Sequence, residues 1–189
     1  MIEPFASFVN LESGVLENYD NKLERKLSNL KGMFSDKSAY DEAIGKEDSL
    51  VYEVFEKAVP AELGQIAHAV TVIHPGKIGS EYYFTKGHFH EIENTAELYL
   101  GVKGEGAILM QDPNGKTSYY EMKPGTLVYV APYWAHRTVN TGADPFSFLA
   151  IYPVEAGHDY GSIEEKGFPR LVVEENGKPT LIDNPSYKD

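Results

Sequence analysis

The sequence contains no cysteine. Disulfides and thiol nucleophiles are therefore excluded, and any metal must be held by histidines and carboxylates. No apolar run approaches the length of a membrane span, so no membrane partner is expected. The opening Met1-Ile2-Glu3-Pro4 shows neither a basic segment nor the apolar core of a secretory leader, and a cytoplasmic location is expected. Basic residues are scarce: 17 Lys and Arg face 29 Asp and Glu, a formal charge of -12. That balance argues against nucleic acid as a partner. It also means that a phosphorylated small molecule needs a local binding site.

What the chain has is apolar and aromatic material. Hydrophobic residues make up 42% of the 189 positions, enough to bury a core as a single structural domain. Aromatics reach 12%, led by 13 tyrosines, which suits a β-rich fold with polar-tipped rings lining a cavity. Residues 1–48 read as an N-terminal arm packing on a barrel. Within it Pro4-Phe5 and Phe8-Val9 suggest edge strand. Leu23, Leu27 and Leu30 are spaced as on a helix. Ser35-Asp36 reads as an N-cap before Ala39, Tyr40, Ala43 and Ile44, with Gly45 as the stop.

Residues 49–189 have another texture. Short apolar runs at 50–56, 66–73, 81–87, 95–102, 106–111, 117–122, 126–131, 137–140 and 146–152 are divided by turn residues such as Asp112-Pro113-Asn114-Gly115 and Lys123-Pro124-Gly125. Many short strands indicate a sandwich or small barrel. A loop at 156–161 and a final hairpin turning on Asn176-Gly177 complete the chain.

The chemistry gathers in three places. His88 and His90 stand two apart in a strand-like segment and share a face. Glu97 shares a face with Tyr99 and Gly101, opposite Leu98, Leu100 and Val102. A carboxylate there is costly unless paired or bound to a cation. His136 follows the strand 127–130. Three imidazoles and one carboxylate suit a divalent transition metal. Fe(II) is the first choice, with Mn(II), Ni(II) and Zn(II) as alternatives. His68 and His74 match no pattern and read as ordinary polar positions.

These residues, with Gly104, Gly125 and Asn140, resemble the two motifs of the cupin superfamily, a jelly-roll β-barrel with metal at its centre. Six residues, 91–96, separate His90 from Glu97, more than most cupins have. Tyr82 and Tyr133 stand where the motifs expect glycine. The strings Phe84-Thr85-Lys86-Gly87-His88-Phe89-His90, Pro132-Tyr133-Trp134-Ala135-His136-Arg137-Thr138 and Ala156-Gly157-His158-Asp159-Tyr160-Gly161 are similar to the archaeal cupin-type phosphoglucose isomerases. The resemblance runs from about Pro4 to the final hairpin. It implies an all-β jelly roll, a homodimer, one divalent metal per subunit, and interconversion of glucose 6-phosphate and fructose 6-phosphate in glycolysis and gluconeogenesis.

An aldose–ketose isomerase must move hydrogen between C1 and C2, so a polarised carbonyl and a nearby base are required. Glu97 is the candidate proton shuttle and Tyr152 the candidate for orienting a substrate hydroxyl. A hydride shift remains the alternative route. Tyr99 and Tyr152 are in phase with cavity-facing neighbours. Thr85 and Gly87 are out of phase with the histidines unless Gly87 sits in a bulge. Tyr52 and Thr71 rest on the resemblance alone, and it strengthens the case for the loop residues His158 and Tyr160. Backbone N–H groups near Gly87, the hydroxyls of Tyr52, Thr71, Thr85 and Tyr160, and His158 form a candidate phosphate site. Two other readings stay open on the same scaffold: a metal-dependent dioxygenase or decarboxylase, and a sugar-binding cupin without catalysis.

Overall fold

The computed structural model describes residues 2–187. In chain order the strands are β1 (Val9–Asn10), β2 (Val15–Leu16), β3 (Asn21–Lys26), β4 (Leu50–Lys57), β5 (Ile66–Ile73), β6 (Lys77–Ile78), β7 (Glu81–Tyr82), β8 (Glu97–Lys103), β9 (Gly106–Gln111), β10 (Thr117–Met122), β11 (Leu127–Val130), β12 (Ala135–Asn140), β13 (Phe146–Pro153), β14 (Arg170–Glu175) and β15 (Lys178–Asp183). Two short helices, α1 (Lys37–Lys46) and α2 (Gly161–Lys166), lie among the described residues.

The strands form a jelly-roll barrel. One wall is a six-stranded antiparallel sheet in the spatial order β11-β8-β13-β5-β4-β3. The opposite wall is β10-β9-β12. It is extended by the irregular segment 83–90, which runs antiparallel to β12 through isolated bridges Phe84–Val139 and His88–His136. The sheet β15-β14-β7-β6 packs beside them. Inward residues of both walls make the core, with Phe84, Ile108, Val130, Phe146 and Phe148 at most 2% exposed. All of β9 and β12 is buried on both faces; β9 is accordingly a nearly continuous apolar run, whereas β12 carries the buried polar residues His136, Arg137, Thr138 and Asn140.

Three local expectations meet different outcomes. Residues 21–26 are strand, not helix. Their period is two: Lys22 and Glu24 face outward, and Lys22 bridges Glu53 of β4 at 2.7 Å, while Leu23 and Arg25 lie opposite Val54 and Tyr52. Pairing with the otherwise open edge of β4 outweighs a leucine spacing that only Leu27–Leu30 uses, in a single 3-10 turn. Asp36 does cap α1, its side chain accepting from the Ala39 N–H at 2.9 Å. Gly45 does not stop the helix, which continues to Lys46 and is closed by the Glu47 N–H on the Ala43 carbonyl. Pro4-Phe5 lies outside the β1–β2 pair, which begins at Val9.

Two left-handed bends lead into β15 and β12. Asn176 and Gly177 both take positive φ, 53° and 74°, as a two-residue hairpin requires. Tyr133 also takes positive φ, 71°. It occupies the left-handed position that the motif reserves for glycine. Its N–H donates to the Glu93 carbonyl at 2.7 Å, which holds the bend that starts β12. The approach to α1 is tied to the barrel by Glu81, a buried carboxylate accepting from the Ser35 N–H and hydroxyl, both at 2.9 Å, while β3, earlier in the chain, is itself a strand of the barrel wall. Burial raises the Glu81 pKa, and the Ser35 bonds and the Arg137 charge offset part of that rise. No helix among the described residues is long and apolar enough to cross a membrane.

Candidate metal centre and active site

His88 and His90 come from the segment 83–90, Glu97 from the start of β8 and His136 from β12. The bridge between His88 and His136 sets those two rings side by side, with centroids 4.5 Å apart. Gly87 makes this possible. Its φ is +76°, and a Cβ there would come within 2.8 Å of Phe168 and 3.0 Å of the His136 carbonyl. The kink turns the backbone so that Thr85 and Gly87 line the same cleft as His88. One ligand atom from each of His88, His90, Glu97 and His136 lies within 4.8 Å of the other three.

The hydrogen-bond network assigns the tautomers. Thr95 has one hydroxyl hydrogen, and the Ile92 carbonyl at 2.6 Å takes it. Thr95 Oγ1 must then accept from His90 Nδ1, 2.8 Å away, and the Thr95 carbonyl is a second acceptor at 3.1 Å. His136 Nδ1 faces the Trp134 carbonyl at 3.4 Å. In the neutral rings the protons therefore sit on Nδ1, and both Nε2 atoms present bare lone pairs. Those lone pairs point at the same Glu97 oxygen, Oε2, at 3.2 and 3.1 Å. His88 Nε2 is buried with no partner at all. Lone pairs converging on a carboxylate repel one another unless a cation lies between them. The donor set therefore fits a divalent metal ion, with His88, His90, Glu97 and His136 as its ligands.

Electrostatics agree. Burial, together with the neighbouring imidazoles, holds His88 well below the ordinary imidazole value, which keeps it in the neutral, ligating form. Tyr99 is buried against Glu97 and stacked on Phe148 at 4.8 Å; burial and the carboxylate raise its hydroxyl well above normal.

The metal ligands stand at one end of a cleft of about 610 Å³, including its open mouth. The sequence-derived residues Tyr52, Thr71, Thr85, Gly87, Tyr99, Tyr152, His158 and Tyr160 all line it, with His88, Glu97 and His136; His90 stands in the ligand cluster without lining the cleft. The loop that carries His158 and Tyr160 is fixed by reciprocal bonds between the Phe89 and Asp159 backbones, 3.0 and 2.8 Å long. That pairing brings His158 within 4.4 Å of the His88 ring and leaves Tyr160 parallel to His158, 5.8 Å away. His68 bonds Ser7 and His74 bonds Glu53, both away from the cleft. Sequence reasoning missed Thr95, which orients His90. The signal was the long 91–96 insertion, whose turn delivers that hydroxyl. It also missed Lys86, a charged lining residue beside Gly87.

With this geometry in hand, the chain can be set against known proteins. The profile of the family described as glucose-6-phosphate isomerase matches residues 24–187. The chain belongs to the glucose-6-phosphate isomerase family. A glucose-6-phosphate isomerase of Pyrococcus horikoshii is 51% identical over 99% of this chain and 98% of its own length. One from Thermococcus kodakarensis is 53% identical over 98% and 97%. A putative glucose-6-phosphate isomerase 2 of Rhizobium meliloti is 37% identical over 98% and 92%. Among solved structures, an oxalate decarboxylase–formate complex from Lactobacillus farciminis aligns with a TM-score of 0.46 and 18% identity, over 58% of this chain and 30% of that one.

The site predicts a pH dependence for metal binding. The ligating imidazoles must be neutral, so protons compete with the ion. His88 has a depressed pKa in the fold, so its competition begins only below the ordinary imidazole value of about 6.5. Affinity measured by competition with a chromophoric chelator is expected to be flat above about pH 7 and to fall steadily on acidification. Affinity that stays constant, or rises, as pH is lowered contradicts the histidine ligand set.

Proposed function

We propose that the cleft interconverts glucose 6-phosphate and fructose 6-phosphate, with Glu97 as the proton carrier and Tyr152 as a hydrogen-bond donor to the substrate. Membership of the isomerase family carries the reaction. The convergence of three imidazoles and one carboxylate beside a hydroxyl-lined cleft supports the assignment of roles. His88, His90, Glu97 and His136 would hold a divalent ion, which when bound would supply Lewis acidity to polarise the sugar carbonyl. Fe(II) is the species we favour.

The chain's own groups do the rest. In the open-chain aldose, the hydrogen on C2 must leave as a proton and one must arrive at C1, while the hydroxyl proton on O2 is transferred to O1. Among the described residues, Glu97 is the one carboxylate lining the cleft. It can take the C2 proton and return it to C1 through an enediol. Tyr152 lines the cleft close to Glu56, its hydroxyl 3.5 Å from that carboxylate. Burial, with Glu56 and Glu97 nearby, raises its pKa well above the ordinary phenol value. It therefore stays protonated and serves as a donor that orients a sugar hydroxyl. The stacked pair His158 and Tyr160 walls the site, and burial lowers the His158 pKa, keeping the ring neutral against the substrate.

We further propose a homodimer, built on the arm, and a cytoplasmic location suited to glycolysis and gluconeogenesis. Phe8 and Leu11 on the arm and Leu63 and Ile66 beside β5 are all more than half exposed, an apolar surface of the kind that a second copy covers. Light scattering of the purified protein is expected to give the mass of two chains, and the mass of one would contradict it. Cell fractionation tests the location.

The reaction is tested by coupled assay: purified protein with fructose 6-phosphate is expected to form glucose 6-phosphate, and none would overturn the proposal. Glu97→Gln tests the proton carrier. The amide oxygen can still reach the metal, but it accepts no proton near neutral pH. With metal saturated, kcat is expected to fall about 10²–10⁴-fold. A metal-saturated Gln variant with near wild-type kcat would leave Glu97 a ligand only and favour a hydride shift.

A further inference from the structure

The sequence has three arginines, and two of them are committed. Arg137 is buried between the rings of Phe84 and Phe168, 3.9 and 4.7 Å away, with one nitrogen on the Lys86 carbonyl at 2.9 Å. Arg170 pairs with Asp183 and the Leu181 carbonyl. No carboxylate pairs with Arg25 among the described residues; its Nε, like that of the other two, is buried without a hydrogen bond, and its side chain bonds the Tyr52 hydroxyl.

Its position is more telling than its lack of a carboxylate partner. On β3 the side chains of Leu23 and Arg25 share one face. Leu23 lines the cleft, and the residues opposite, Val54 and Tyr52, line it too. Lys22 and Glu24 take the other face and pair there with each other, Lys22 also with Glu53. Arg25 is therefore the β3 cation on the cleft side. Its charge acts on two cleft hydroxyls: burial raises the pKa of both Tyr52 and Tyr160, and the guanidinium partly offsets that rise in each. The Tyr52 hydroxyl also receives the backbone N–H of Lys86. Tyr52, Tyr160 and residues 85–87 thus line the cleft, and Arg25 lies across the strand pair from Tyr52, next to that lining but not part of it. The nearby Lys86 ammonium is engaged by Glu164 at 2.7 Å.

A protein with a formal charge of -12 repels a dianion at long range, so the attraction must be local. A guanidinium that no carboxylate neutralises is suited to attract phosphate oxygens. We propose that Arg25 binds the phosphate of the sugar phosphate, with Tyr52 and Tyr160 beside it, and sets the preference for phosphorylated over neutral sugars. This rests on the isomerase reading. Arg25 lies on a half-exposed edge strand, so its replacement leaves the core packing intact.

The test compares wild type, Arg25→Met and Arg25→Lys. Kinetics with fructose 6-phosphate are followed, and inorganic phosphate is titrated calorimetrically into each metal-loaded protein. In Arg25→Met, KM and the dissociation constant for phosphate are both expected to rise about 10- to 100-fold, the loss of a charge-assisted contact. The kcat and metal content should stay within about twofold, since the contact is shared by ground and transition states. Arg25→Lys is expected to recover part of the affinity. Unchanged KM and phosphate binding in Arg25→Met overturns the assignment, as does a loss confined to kcat or metal content. Wild type that binds phosphate through Arg25 but never converts fructose 6-phosphate would instead overturn the isomerase reading, so the two failures are distinct.

Discussion

The structure depends on one unfavourable arrangement. Two buried imidazoles present unprotonated nitrogens to the same oxygen of a buried carboxylate, and a third imidazole nitrogen beside them has no partner. In a dry barrel these electron-rich atoms repel one another, and a cation between them turns that repulsion into ligation. The surrounding fold keeps the rings from turning away. Thr95 and the Trp134 carbonyl fix the proton on the far nitrogen of His90 and His136. Phe148, stacked on Tyr99, fixes the hydroxyl that sits against Glu97.

The segment 83–90 is what joins the site to the barrel. It closes the second wall against β12, yet it is too irregular to be a strand along its length. The kink at Gly87 lets neighbouring residues face inward that a regular pleat would send to opposite sides. Thr85, Gly87 and His88 therefore line one cleft, and His90 joins the ligand cluster beside it. Arg137 holds the same kink from behind through the Lys86 carbonyl. The ligand cluster and the cleft lining thus depend on one backbone feature.

Most of the barrel and the ligand set were legible in the sequence because they rest on local periodicity. Glu97 and Tyr99 alternate with Leu98 and Leu100, and that alternation alone sends the carboxylate inward. The runs 106–111 and 117–122, joined by Asn114-Gly115, read correctly for the same reason, whereas the expected run 81–87 is strand only at Glu81–Tyr82 and irregular beyond, where the kink at Gly87 breaks the pleat. Residues 21–26 did not, because their strand character depends on β4, a partner supplied about 30 residues later. Thr95 and Arg25 escaped notice for a related reason. Neither carries a motif, and each acquires meaning only through a neighbour distant in sequence or folded by a turn. The tyrosine at position 133 was visible as a departure from the motif, and the structure shows that the left-handed bend survives the change.

The central claim is that these four side chains hold one divalent ion on which isomerisation depends. Metal-free protein can be titrated anaerobically with Fe(II), and bound metal and fructose 6-phosphate turnover measured on the same samples. The account predicts that activity rises in proportion to bound metal and stops rising at one ion per chain. Full activity in protein shown to be free of metal, or saturation of the four-residue site without any gain in activity, would contradict it.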